Sequence, residues 1–270
     1  MKKLIPHLAA LALGLIAPLP ATAQALEAVN AARLLPGWRA EDGTHMAALE
    51  LRLAPGWKTY WRAPGDIGIP PRFDWRGSQN LAGVEIEWPT PERIDQGGMM
   101  AIGYHGTLIL PLRVLPQAGG DVALDGSVEL GVCRDVCIPL TLDLAADLPS
   151  GASKRDPRII AALADRPMGA AEAGVGRVAC TIAPGKQGRL ALRAEIALPP
   201  VGGAETLVIE AADPNIWIAP PRLARQGGTL IAETQLAHVE GRAFALDRSG
   251  LRLTVIGEGS AVDIKGCPAG

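Results

Sequence analysis

The sequence predicts an all-β protein made of two antiparallel β-sandwich domains joined by a linker that carries one short helix. Three observations predict it. Apolar and polar residues alternate over short runs, glycine and proline clusters separate those runs, and a single segment carries the punctuation of a helix. With 32 glycines and 23 prolines but only 4 cysteines, the chain is turn-rich without being a small disulfide-stapled scaffold.

The N-terminus comes first. Lys2 and Lys3 precede an apolar run that Pro18 and Pro20 break just before the small residues Ala21, Thr22 and Ala23. That order predicts a secretory signal peptide over residues 1–23, with cleavage expected before Gln24 and the mature chain exported beyond the inner membrane, a periplasmic protein by expectation. The run is short for a membrane span, and no later stretch is long and uncharged enough, so no span is expected in the mature chain. Losing Lys2 and Lys3 takes the formal net charge from −2 to −4. Such a mildly acidic chain has no electrostatic footprint for nucleic acid.

Strands follow in order. Leu49, Leu51 and Leu53 alternate with Glu50 and Arg52, and Val84, Ile86 and Trp88 with Glu85 and Glu87. Leu140, Leu142 and Leu144 alternate with Thr141 and Asp143, and Leu251, Leu253 and Val255 with Arg252 and Thr254. Each reads as a half-buried strand. Between them, SKRDPRIIAALAD places Asp156 to cap, Pro157 at the first helical position and Ile160 with Leu163 as an apolar stripe, predicting a helix over Pro157–Ala164. The linker and helix occupy 149–166, dividing a first domain over 24–148 from a second over 167–270. Eight of the aromatic residues, Trp38, Trp57, Tyr60, Trp61, Phe73, Trp75, Trp88 and Tyr104, precede the linker, whereas Trp217 and Phe244 follow it. The halves are not close repeats, and function is expected in the aromatic-rich one.

Cys133 and Cys137 lie in GVCRDVCIPL. Along one continuous strand their α-carbons would stand ~13 Å apart, beyond the ~7 Å limit of a disulfide. A three-residue hairpin loop of Arg134, Asp135 and Val136 brings them opposite each other at roughly 4.5–5.5 Å, where a bridge is feasible. So short a loop yields little entropic stabilisation, and exposure beside the Arg134 guanidinium favours a reactive thiolate, with Asp135 opposing it. Spacing alone leaves a redox pair and an ordinary hairpin disulfide evenly matched. A metal site ranks third, since two thiolates lack further nearby ligands. Cys180 and Cys267, in VACTI and VDIKGCP, would close nearly the whole second domain and read as a structural staple.

The segment PGWKTYWRAPGDIGIPP from Pro55 to Pro71, then Trp75, Ser78, Asn80, Trp88 and Pro89, GYHGTLILPL, and the cysteine pair before Pro139 together resemble a known family. They are similar to the N-terminal periplasmic domain of the DsbD-type protein-disulfide reductases, and more so to the ScsB copper-tolerance branch. The resemblance covers roughly the first half of the mature chain and extends less distinctly to the second. It implies an immunoglobulin-like fold that needs no cofactor. It also implies that Cys133 and Cys137 accept electrons from a membrane-linked, thioredoxin-like donor and pass them to periplasmic disulfide isomerases or reductases. Cys137 would form the mixed disulfide and Cys133 resolve it. The chain shows no transmembrane helices or thioredoxin-like Cys-x-x-Cys domain, so a separate electron transporter is expected. Where DsbD caps its cysteines with an acidic and aromatic loop, this sequence reads ERIDQGGMMAIGY, with Met99 and Met100 as a candidate apolar cap and Tyr104, His105, Arg134 and Asp135 as candidate site-lining residues.

Two other functions compete with thiol exchange. Met99, Met100, His105, Cys133 and Cys137 make a soft ligand set of the kind that holds Cu(I), although methionines in a β protein are more often packing residues. A non-catalytic interaction module, with all four cysteines structural, is the other. Trp57, Tyr60 and Trp61 alternate faces along a strand and read as core and rim rather than as a ligand platform. No Ser-His-Asp pattern, phosphate loop or carboxylate pair supports hydrolysis or nucleotide chemistry.

Overall fold

A computed structural model describes residues 27–270, so the expected signal peptide over 1–23 lies outside the described residues. Ten strands precede the helix: β1 (Val29–Arg39), β2 (His45–Leu53), β3 (Lys58–Gly65), β4 (Arg72–Asp74), β5 (Leu81–Ile86), β6 (Glu92–Gln96), β7 (Met99–His105), β8 (Thr107–Pro116), β9 (Val122–Cys133) and β10 (Cys137–Leu148). They form two sheets, ordered β1-β2-β8-β5 and β10-β9-β3-β7-β6, with β4 added on β9. Leu49, Leu51, Trp61, Ile102, Leu112, Val128 and Leu130 fill the space between them.

The helix α1 spans Pro157–Ala164 and begins at Asp156, whose carboxylate accepts the Arg158 backbone N–H at 2.9 Å. Its buried face is Ile159 and Ala162, with Leu163 partly buried, whereas Ile160 is 44% exposed. The expected stripe of Ile160 and Leu163 is therefore corrected by one position. Ile159 is the residue that enters a small cluster with Leu35, Trp38, Met46 and Ala48 on the outer face of the β1/β2 sheet.

That docking also corrects the expectation for β2. The strand is buried on both faces, and Glu50 is only 1% exposed. Arg33 (2.6 Å), Arg52 (2.6 Å) and Arg158 of the helix (3.4 Å) surround its carboxylate. Burial pushes the Glu50 carboxyl up, but the hydrogen bonds from Arg52 and Arg33 outweigh it and hold the group below its ordinary value.

Nine strands follow: β11 (Met168–Gly169), β12 (Val178–Pro184), β13 (Leu190–Ala197), β14 (Thr206–Glu210), β15 (Ile216–Ile218), β16 (Arg222–Gln226), β17 (Thr229–His238), β18 (Arg252–Ile256) and β19 (Ala261–Lys265). Their sheets run β11-β19-β18-β14 and β12-β13-β17-β15, with β16 on β17. All named strand pairs are antiparallel except the two-residue pairing of β11 with β19. The architecture is all-β, immunoglobulin-like and sandwiched, with one short helix at the junction.

Among the described residues no sheet runs through both halves, yet they share packing. Ile256 and Ala261 of the second half join the core of the first, and Arg62 pairs with Glu210 at 2.9 Å. Among the described residues no helix is long and apolar enough to cross a membrane.

Candidate functional site

The end of β9 and the start of β10 are joined by Arg134, Asp135 and Val136, and in-register pairing sets Cys137 opposite Cys133. The two are bonded, with α-carbons 4.2 Å apart. Their surroundings are unequal. Cys133 is 0% exposed, whereas Cys137 is half-buried. The expectation of an open disulfide is thus corrected for one sulfur: the inner cysteine is sealed because β3 pairs against it, and approach is left to Cys137.

β3 supplies the polar contact. Its in-register partners are Lys58 with Cys133 and Thr59 with Val132, so Lys58 and Tyr60, two residues on, share the face of the cysteines. The Tyr60 hydroxyl donates to Cys133 Sγ at 2.7 Å and lies 3.0 Å from Cys137 Sγ. Burial pushes the Tyr60 phenol above its ordinary value, so it remains a donor at neutral pH. A β-carbon on Gly68 would stand 2.8 Å from the Tyr60 ring, and one on Gly131 would stand 3.1 Å from it. Pro64 Cβ, at 2.2 Å from the first, and Ile69 Cβ, at 2.8 Å from the second, crowd the same space, so the end of β3, the loop that follows it and the ring together leave room only for glycine.

The cover over this face is the loop after β3. Ile67 and Ile69 pack with Tyr60, Ile94, Ala101 and the two cysteines. Asp66 fastens the loop to β7, its N–H donating to the Met100 carbonyl at 2.8 Å and its carboxylate accepting the Met100 N–H at 3.1 Å. At the hairpin tip, the Arg134 guanidinium sits 5.1 Å from the centre of the Trp57 ring and pairs with Asp135 at 3.3 Å. Val136, 67% exposed, stands beside Cys137.

Residues 31–149 match the family model described as thiol:disulfide interchange protein DsbD, N-terminal. The first sandwich is of the DsbD N-terminal type. The crystal structure of the N-terminal periplasmic domain of ScsB from Proteus mirabilis aligns at a TM-score of 0.64 and 23% identity, covering 86% of this chain and 91% of that one. The likeness is one of fold, and it extends into both sandwiches. No curated protein matches the chain significantly.

Within the DsbD-type domain, the other candidate residues divide by face. Gly97 and Gly98, at φ 63° and 86°, turn β6 into β7. Met99 is at that tip, 49% exposed, and Met100 points to the opposite face, where the Thr206 hydroxyl of the second half lies 3.6 Å from its sulfur. Neither joins the cluster around the cysteines, so the cap expected from them is supplied by Ile67 and Ile69. Tyr104 is also on the core face; its hydroxyl donates to the Pro89 carbonyl at 2.9 Å, and burial pushes its phenol well up. His105 is exposed and 3.1 Å from the Glu92 carboxylate.

The residues weighed for copper do not converge. Met99 and His105 stand at opposite ends of β7, ~20 Å apart at the usual rise, and both cysteine sulfurs are tied in the disulfide.

Cys180 and Cys267 are bonded with α-carbons 5.5 Å apart and are 0% and 1% exposed. Cys267 lies two residues past β19 rather than within the last strand. The bridge links β12 of one sheet to the segment leaving the other.

The sequence reads Tyr60 as a core or rim residue and does not single out Lys58. The period-two pattern of KTYW puts both on one face, but only the pairing of β3 with β9 shows that this face carries the cysteines.

Proposed function

We propose that this chain is a periplasmic thiol:disulfide exchange protein that carries electrons through Cys133 and Cys137. The electrons would come from a membrane-linked, thioredoxin-like donor and go to a periplasmic disulfide isomerase or reductase. One observation carries the reading: in a DsbD-type domain, a disulfide presents one sulfur outward and keeps the other against a hydroxyl donor.

Chemistry follows from that asymmetry. A donor thiolate displaces along the S–S axis at Cys137, the reachable sulfur, and Cys133 departs as a thiolate. The Tyr60 hydroxyl is placed to hydrogen-bond the departing charge, a stronger interaction than it makes with a neutral disulfide. A second donor thiolate then attacks the donor's own bridged sulfur, leaving both cysteines reduced and the donor oxidised. In delivery the Cys137 thiolate attacks the partner's disulfide and expels one partner thiolate. Cys133 then attacks Cys137 Sγ, closing the hairpin disulfide and releasing the second.

The test is covalent trapping in the periplasm. A Cys133→Ala variant keeps the attacking sulfur without the resolving one, so it is expected to accumulate a mixed disulfide with a thioredoxin-fold protein. A Cys137→Ala variant is expected to trap far less. Greater trapping by Cys137→Ala would reverse the assignment of roles, equal trapping would dissolve it, and trapping by neither would end the carrier reading.

A further inference from the structure

Lys58 is 6% exposed, in a position where lysine is seldom found without a partner. It faces Cys133 directly on one side of β3 and His105 on the other. Directly opposed residues hold their β-carbons ~4.5–5.5 Å apart, and a lysine stem spans that separation.

Polar and charged groups surround Cys133 from several elements. β3 contributes Lys58 and the Tyr60 hydroxyl, and β10 contributes Cys137. The turn contributes Arg134, which is paired with Asp135. β7 and β6 contribute His105, held by Glu92. The covering loop contributes Asp66, whose carboxylate accepts the Met100 N–H. Among these described groups, Lys58 is the one cation facing Cys133 that no carboxylate engages.

We infer that Lys58 is a positioning residue that offsets the burial penalty on the Cys133 thiolate and so favours its ionisation for the resolving step. Burial in apolar surroundings disfavours a thiolate, and a thiol that stays protonated cannot attack the mixed disulfide on Cys137. A facing ammonium offsets that penalty at the sulfur that needs it, whereas Cys137 gains from contact with water. The inference deepens the exchange reading above, but its test uses a small disulfide and so does not depend on any protein partner.

The reduced protein is mixed with 5,5′-dithiobis(2-nitrobenzoate), and released thionitrobenzoate is followed by stopped flow. Cys137 attacks first and expels one thionitrobenzoate in a concentration-dependent phase. Cys133 then attacks Cys137 Sγ, the bond from Cys137 to the second thionitrobenzoate breaks, and that group leaves in a concentration-independent phase. Two electrons pass from the dithiol to the reagent. In Lys58→Met the second phase at pH 7 is expected to slow on the order of tenfold and to converge with the native rate at alkaline pH. Lys58→Arg is expected to keep the native profile. A Lys58→Met profile that coincides with the native one would overturn the inference. Should that variant not fold, thiolate absorbance of Cys137→Ala decides: with Lys58 in place, Cys133 is expected to ionise no higher than an ordinary cysteine, at about pH 8.5. Ionisation well above that, as burial alone dictates, would overturn the inference equally.

Discussion

The two disulfides of this chain share a bond and little else. Cys180 and Cys267 are 87 residues apart, both are buried in the second core, and their bridge ties one sheet to the segment leaving the other. Cys133 and Cys137 are 4 residues apart, one is reachable, and both sulfurs lie near a tyrosine hydroxyl. The chain-entropy model assigns about 4.6 kcal/mol to closing the long loop and about 2 kcal/mol to the short one. Where the loop is long and both sulfurs are sealed, the bond suits holding a domain closed; where it is short and half open, it suits being broken and remade.

Three experiments would break or sharpen that contrast. Replacing both Cys180 and Cys267 with alanine is expected to lower the stability of the second sandwich by about 3–5 kcal/mol in urea unfolding, while thiol exchange at Cys137 persists. A loss under about 1 kcal/mol, or loss of exchange, would erase the division of labour between the two bonds.

A smaller effect is expected from Tyr60→Phe. It removes one hydrogen bond to a departing charge and leaves the ring between Gly68 and Gly131 in place. Reduction of the hairpin disulfide by dithiothreitol is expected to slow by about tenfold, in line with ~1.5 kcal/mol for a hydrogen bond to a charged group, with thermal stability nearly unchanged. Unchanged reduction kinetics would make the hydroxyl a packing contact and no more.

The smallest effect concerns acid. His45 in β2 is fully buried, and burial holds its imidazole below the ordinary value. The unfolded chain therefore takes up the proton first. This contribution to stability is complete above about pH 6.5 and is lost as the pH falls below it. Urea midpoints of the native protein are expected to fall between pH 7.5 and pH 5.5, and His45→Gln to flatten that slope. A slope unaltered by the substitution would assign acid sensitivity to other groups, among them the depressed carboxyl of Glu50.

Much of this was legible in the sequence because strand alternation and helix punctuation are local. Asp156 and Pro157 fix the start of α1, and the spacing of Cys133 and Cys137 requires a turn if they are to bond. What local pattern cannot carry is which strand lies beside which. Glu50 reads as a solvent-facing residue of β2 until α1 covers it and brings Arg158 to its carboxylate. Lys58 and Tyr60 read as ordinary members of an aromatic strand until β3 pairs with β9 across more than 70 residues. Ile160 and Ile159 have equal hydrophobicity to the eye, and only the angle at which the helix docks selects between them.

The unequal spans of the two bonds also order the chain's own maturation. Synthesised from its N-terminus, the chain presents both partners of the hairpin bond within five consecutive residues, whereas Cys180 waits for Cys267, 87 residues later. Local hairpins close in microseconds, and domains tend to form in the order in which they emerge. If Cys133 bonds Cys137 first, both leave the competition, so that of these four cysteines Cys267 alone remains for Cys180, and two bonds that could be drawn three ways are drawn one way.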